Sequence, residues 1–134
     1  MKAKSFLIAM AVLAVSAGCT TSNIDQRAAA DPFQKTIAVP NTTGKLTADV
    51  KALLTNDNWQ FQGANGQPIA NPRYSMTLTY DQAEVCMPRF DPMYDYELYI
   101  TDNKMGGRAF AMHGRDCQHT IIEHLDAFLR NQKI

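Results

Sequence analysis

Neither sign of charge dominates this chain: 13 Lys and Arg stand against 13 Asp and Glu, so no positive excess is available to recruit a nucleic-acid backbone. No apolar run reaches the roughly 20 residues that a helix needs to cross a bilayer. Cysteine is scarce, with 3 in 134 residues, and no C-x-x-C pair occurs; this excludes a disulfide-scaffolded miniprotein. The phosphate-binding glycine loop, the G-x-S-x-G elbow and the dinucleotide fingerprint are missing too. With no nucleophile to name, the expectation is a protein that is not an enzyme and uses no cofactor. What is present, 46% hydrophobic and 19% charged residues over a length suited to one domain, is the composition of an ordinary globular protein.

The first residues read as an address. Lys2 and Lys4 make a positive start, Phe6 to Val15 is an unbroken apolar run, and Ser16-Ala17-Gly18 leads directly into Cys19. This order resembles the lipobox signal peptide of bacterial lipoproteins, with Ser16 at the position where that family most often has Leu. The resemblance implies a signal peptide over 1–18, cleavage before Cys19, a diacylglycerol on its sulfur and usually a further (palmitate-like) acyl chain on its amine. Losing two lysines leaves the mature chain slightly acidic. Several acyl chains hold a protein firmly, at about 0.8 kcal/mol per buried CH₂. In that family, Asp after the cysteine commonly retains a protein at the inner membrane; here that position is Thr20. The expected location is therefore the outer membrane, facing the periplasm.

Thr20 to about Lys35 is polar, carries three consecutive alanines and shows no apolar periodicity, so residues 19–35 are expected to be a lipidated tether. The alternative is a helical turn or two over Ile24 to Ala30, ended by Asp31-Pro32. Residues 36–134 then form the periplasmic domain.

Within it, Thr36-Ile37-Ala38-Val39 is a short β-branched run stopped by Pro40. Leu46, Val50, Leu53 and Leu54 fall on one face of a helix over 45–55. Trp59-Gln60-Phe61-Gln62 alternates like a short returning strand. Met76, Leu78 and Tyr80 alternate with polar residues over 74–85, and Tyr94, Tyr96, Leu98 and Ile100 do so over 94–102. Asp102 to Gly107 is a hairpin connection leading into Phe110 and Met112. Ile121, Ile122, Leu125, Phe128 and Leu129 mark a closing amphipathic helix. The order β-α-β-β-β-α implies an α+β two-layer sandwich: one mixed sheet with two helices on one face.

The stretch Leu78-Thr79-Tyr80, then Tyr96-Glu97-Leu98-Tyr99, the Gly-Gly hairpin and the terminal helix resemble an uncharacterised family of small outer-membrane lipoproteins over residues 76 to 130. That resemblance bears on fold and location only. Cys86 and Cys117 depart from it.

With Cys19 lipidated, two cysteines remain in an oxidising compartment. Strands 74–85 and 107–114 run the same way, so Cys86 and Cys117 reach the same edge of the sheet, and a disulfide is expected. A loop of this length contributes about 3 to 4 kcal/mol in the chain-entropy model. The competing reading is a copper or redox-thiol site drawing on Cys86, Met87, Met93, Met112, His113, Cys117 and His119. His119 and His124 are five apart, about 140° around a helix, and do not share a metal easily. Asp91, Asp95 and Glu97 read as surface charge.

The segment Cys-Met-Pro-Arg-Phe-Asp-Pro-Met over 86–93 places Met87, Phe90 and Met93 beside Arg89, an amphipathic patch of the type that anchors partners, with Tyr99 as an added aromatic. The plainer alternative is that Phe90 closes an open end of the core. Strand edges 36–39 or 59–62 offer a second docking mode. The expected function is a lipid-anchored, non-catalytic binding or structural protein of the cell envelope acting through protein contacts, with a periplasmic immunity or inhibitor lipoprotein as the alternative and a copper or thiol protein as the third.

Overall fold

The computed structural model describes residues 21–132. The signal segment and Cys19 lie outside the described residues. The chain runs β1 (Thr21–Gln26), β2 (Ile37–Ala38), α1 (Lys45–Asn56), β3 (Tyr74–Cys86), β4 (Asp91–Asp102), β5 (Arg108–Cys117) and α2 (Gln118–Leu129). The five strands form one mixed sheet in the order β1-β5-β4-β3-β2. Only β2 and β3 are parallel, joined across α1; every other neighbour is antiparallel. Both helices pack on one face of the sheet, giving the two-layer α+β architecture.

The alternating residues of the three long strands build the floor of the core. Met76, Leu78, Leu98, Ile100, Phe110 and Met112 are buried on the inner face, against Leu46, Val50 and Leu54 of α1 and Ile121, Leu125 and Phe128 of α2. Phe110 and Phe128 stack at 4.7 Å, and Tyr74 meets Phe128 edge-on at 6.5 Å. Such aromatic pairs each add about 1 kcal/mol beyond their burial.

Neither helix begins with a capping side chain of its own, since Gly44 and Cys117 stand at the N-cap positions. The oxygens come from the sheet. Tyr80 on β3 places its phenol oxygen 3.0 Å from Thr47 Oγ1 and 3.4 Å from Thr47 N at the start of α1. Gly44 is required there, because its φ is 148° and a Cβ would collide with the Tyr80 hydroxyl. Asp91 on β4 accepts a hydrogen bond of 2.8 Å from the His119 backbone N–H at the start of α2. Side-chain oxygens in this role typically stabilise a helix by about 1 kcal/mol.

Two expectations are corrected. The segment read as a tether is not free over its first part: Thr21–Gln26 is an edge strand paired with β5 from Thr21↔Arg115 to Gln26↔Phe110, and Ile24–Ala30 is not helical. Its backbone groups pair regardless of its polar side chains, and Ile24 supplies one apolar contact to the core. Trp59–Gln62 is not a strand of the sheet. It makes one parallel bridge, Thr36↔Gln60, which lays Gln60 against the outer edge of β2. The return strand after α1 is β3.

Gly114 makes the β1 pairing possible. Its φ is 137°, and a Cβ there would collide with the Thr21 carbonyl oxygen. It also lies in register between Tyr96 and Ser22 with no side chain to separate them. The Ser22 hydroxyl sits 2.7 Å from the Tyr96 hydroxyl and donates to Asp116 at 2.8 Å. Burial pushes the Tyr96 phenol up, against the opposing pull of Ser22.

At the other end of the sheet, Arg73 binds Asp102 through two bonds, of 2.9 and 3.0 Å, and reaches Asp31 at 2.8 Å and Gln34 at 2.6 Å. The Arg73 and Asp102 side chains are only 11% and 8% exposed. This ties the 31–34 segment to the β4–β5 hairpin, whose Lys104 and Met105 amides also donate to Asp102. The Arg73 guanidinium, helped by those amides, pulls the Asp102 carboxyl down to about 2, in spite of its burial.

Two outcomes follow from this packing. Gly114→Ala should destabilise the protein by about 2 to 3 kcal/mol, and hydrogen exchange should show the amides of β1 losing protection before those of β4. Because the folded Asp102 titrates below its ordinary value near 4, its contribution is present above about pH 4 and disappears as the pH falls toward 2. Urea midpoints measured across that window should fall, whereas Asp102→Asn should start about 2 to 3 kcal/mol weaker and show a flatter acid dependence.

Candidate functional site

The β3–β4 hairpin tip gathers three exposed large apolar side chains, Val85, Met87 and Phe90. Past Tyr80, residues 81–85 of β3 are exposed on both faces, and a register shift at Gln82/Glu84 bends the arm. The tip Met87-Pro88-Arg89-Phe90 closes it, with a cis bond before Pro88 and Phe90 at φ 53°. Phe90 is 73% exposed and Met87 68%, and Val85 stands beside them at 46%. Phe90 therefore does not close the core. Arg89 is exposed as well.

Two cross-links hold this arm. Cys86 and Cys117 are joined by a disulfide with their Cα atoms 6.0 Å apart. The link ties β3 to β5 on either side of β4, since Cys86 registers with Asp91 and Cys117 with Met93. The second is the Asp91 carboxylate, which meets His119 Nδ1 at 2.6 Å in addition to the backbone N–H. Gln118 next to it bonds Asp49 of α1 and accepts from the Tyr94 hydroxyl at 3.2 Å. A shallow groove between the two helices is lined by Asp49, Leu53, Asp91, His119 and Ile122.

The expected patch is thus only partly assembled. Met87, Arg89 and Phe90 come together at the tip. Met93 does not: it is buried, at the register position opposite Cys117 of the disulfide. Tyr99 is eight residues from Asp91 along β4, roughly 26 Å away at about 3.3 Å per residue. It lies on the outer face, opposite the helices, where the Arg108 guanidinium sits 4.0 Å from its ring centre.

Of the three carboxylates read as surface charge, Asp95 and Glu97 are exposed as expected and Asp91 departs. Asp91 is not free surface charge but caps α2. Asp95 is an exposed partner of Arg115, with bonds of 2.7 and 2.9 Å, and that guanidinium holds its carboxyl below the usual range. Glu97 is exposed on the outer face. The residues considered for copper do not converge. Met112 is in the core, His113 is on the opposite face, and Cys86 and Cys117 are consumed by their bond. Among the described residues no group of three His, Cys, Asp or Glu is placed to hold a metal.

Sequence reasoning missed the Arg73–Asp102–Asp31 cluster and the Ser22–Tyr96–Asp116 network. A signal existed only for the second: an isolated glycine at 114 inside a strand pattern marks a close backbone approach.

An α+β sheet with both helices on one face is an architecture shared with solved structures. No protein-family model and no curated relative matches the chain. Its fold is similar to that of a single-substitution variant of the PelC dodecamer from Paraburkholderia phytofirmans, at 11% identity and a TM-score of 0.50, over 86% of this chain and 99% of that one. A second PelC dodecamer structure from the same organism aligns at 14% identity and a TM-score of 0.48 over 84% and 97%. A PDZ domain protein from Parabacteroides distasonis aligns at 10% and 0.46 over 81% and 34%. At these identities the likeness is one of fold.

Breaking the staple tests its part in the site. Cys86→Ser with Cys117→Ser should lower the urea midpoint by an amount equivalent to about 3 kcal/mol, and reduction of the parent protein should do the same. Limited proteolysis should then cut between Val85 and Met93 first.

Proposed function

We propose that this chain is a lipid-anchored, non-catalytic protein of the bacterial outer membrane that faces the periplasm and serves a binding or structural role in the envelope through protein contacts. The lipobox-like order ending at Cys19 supports the anchor. One observation carries the binding reading: among the described residues the sheet is covered by helices on a single face, and its other face stays open. There the Tyr99 ring and Arg108 stack, bordered by Thr77, Glu97 and His113. Aromatic and arginine side chains of this kind anchor protein interfaces. The hairpin tip is the second exposed surface.

The paired state of Cys86 and Cys117 suits an oxidising compartment. It leaves no thiolate on either residue for soft-metal binding.

The protein extracted from bacterial membranes should have an intact mass beginning at Cys19 plus acyl chains, and Cys19→Ala should move it to the soluble periplasmic fraction. A photoreactive side chain in place of Tyr99 should crosslink an envelope protein in cells. An unmodified Cys19 would remove the anchor, and a silent Tyr99 position would remove the protein contact.

A further inference from the structure

We propose that the β3–β4 hairpin tip enters the same bilayer that holds the lipid on Cys19, making a second, side-chain membrane contact. The inference rests on the lipid anchor proposed above and names what the tip touches.

The argument is one of direction. Across the sheet, Thr21, Arg115, Asp95 and Asp81 stand in one row. Thr21, the first described residue, lies at the end of the sheet toward which β5 runs, and this is the end at which β3 and β4 meet. Cys19 is two residues from Thr21, so its Cα lies at most about 7 Å from that of Thr21. The strand pairing of β1 removes the slack that a 16-residue tether would have given, which brings the folded sheet up to the lipid. From the same row, β4 continues four residues to Asp91, roughly 13 Å at about 3.3 Å per residue. The tip projects beyond Asp91. A protein held at Cys19 with its sheet upright thus presents Met87 and Phe90 at or below the level of the anchored residue.

The side chains at that level suit a lipid surface. Val85, Met87 and Phe90 are exposed and apolar. Arg89 lies between Met87 and Phe90, with no ion-pair partner among the described residues, free to meet a lipid phosphate while its stem rests on acyl chains. The nearest carboxylate along the chain, Asp91, is occupied by His119. Amphipathic membrane elements typically bury their apolar face about 5 to 10 Å into the headgroup boundary, a depth within the projection of this arm. The disulfide and the Asp91–His119 contact keep the arm ordered before it meets the membrane, so little ordering is required on contact.

The far end of the sheet is built differently. Its exposed apolar side chains are Phe33, which lines a polar groove with Lys35, Arg73 and Lys104, and Met105 of the β4–β5 hairpin. Trp59, the chain's single tryptophan, is buried near that end, against Tyr74. It serves as an internal reference.

The test uses the full chain, purified from bacterial membranes and reconstituted in vesicles of phosphatidylethanolamine and phosphatidylglycerol with brominated acyl chains. Phe90→Trp should emit at shorter wavelength and lose more than half of its added emission to the bromines, as a ring seated at the acyl boundary does. The parent protein with Trp59 alone, and Phe33→Trp, should be unaffected. Acylated Cys19 together with an unquenched, iodide-accessible Phe90→Trp would overturn the tip contact while leaving the anchor intact. Crosslinking of position 90 to a protein rather than to lipid would overturn it in favour of a protein partner. Quenching of Phe33→Trp instead would overturn the orientation. An intact mass without acyl chains would bring down both readings.

Discussion

The architecture depends on oxygens that the sheet lends to the helices. Gly44 and Cys117 bring no side-chain oxygen, so N–H groups at the starts of α1 and α2 find Tyr80 and Asp91 instead. Each helix start is thereby pinned to one strand and one residue of that strand, at the same end of the sheet. Apolar burial alone would press the helices onto the inner face without choosing their position along it. The caps make that choice, and Gln118, bonded to both Asp49 and Tyr94, locks the two helices and β4 together.

Once the helix starts are fixed near Tyr80 and Asp91, five residues of β3 past Tyr80 are left exposed among the described residues. That overhang is the arm. Left alone, a two-stranded hairpin is only marginally stable in water. Here it is held by the disulfide to β5 and by the contact of Asp91 with His119. The molecule is consequently polarised along its strands. One end carries the chain's entry into β1 and an apolar, cationic tip. The other carries the Arg73–Asp102–Asp31 cluster and the buried aromatic group of Trp59, Tyr74 and Phe128. The open face runs between them.

Several candidate residues changed meaning once their neighbours were placed. Met93 follows a proline in a segment rich in exposed residues, and nothing local distinguishes it from Met87; its place opposite Cys117, beside the link that joins β3 to β5, goes with its burial. Tyr99 does face away from the core, as the alternation of β4 requires, yet the length of that strand carries it far from Phe90. Asp91 looks like solvated charge because its partner is 28 positions away in sequence. Each of these depends on distance through space, to which spacing along the chain is blind.

The amino-acid sequence by itself determined the long alternating strands, the two amphipathic helices, the Asp102–Gly107 hairpin and the pairing of Cys86 with Cys117, because each is written in local periodicity, in turn chemistry or in the direction of adjacent strands. The partnership of Thr21–Gln26 with β5 was settled only in three dimensions. A strand of that composition has almost no apolar period, and its pairing is made by backbone amides and carbonyls common to every residue. What selects it is the missing side chain at Gly114 on the opposite strand, which admits the Thr21 carbonyl and lets Ser22 meet Tyr96 and Asp116. A tertiary contact thus turned the first residues of an apparent tether into an edge of the sheet, because close approach depends on what is absent from the neighbour rather than on what the segment contains.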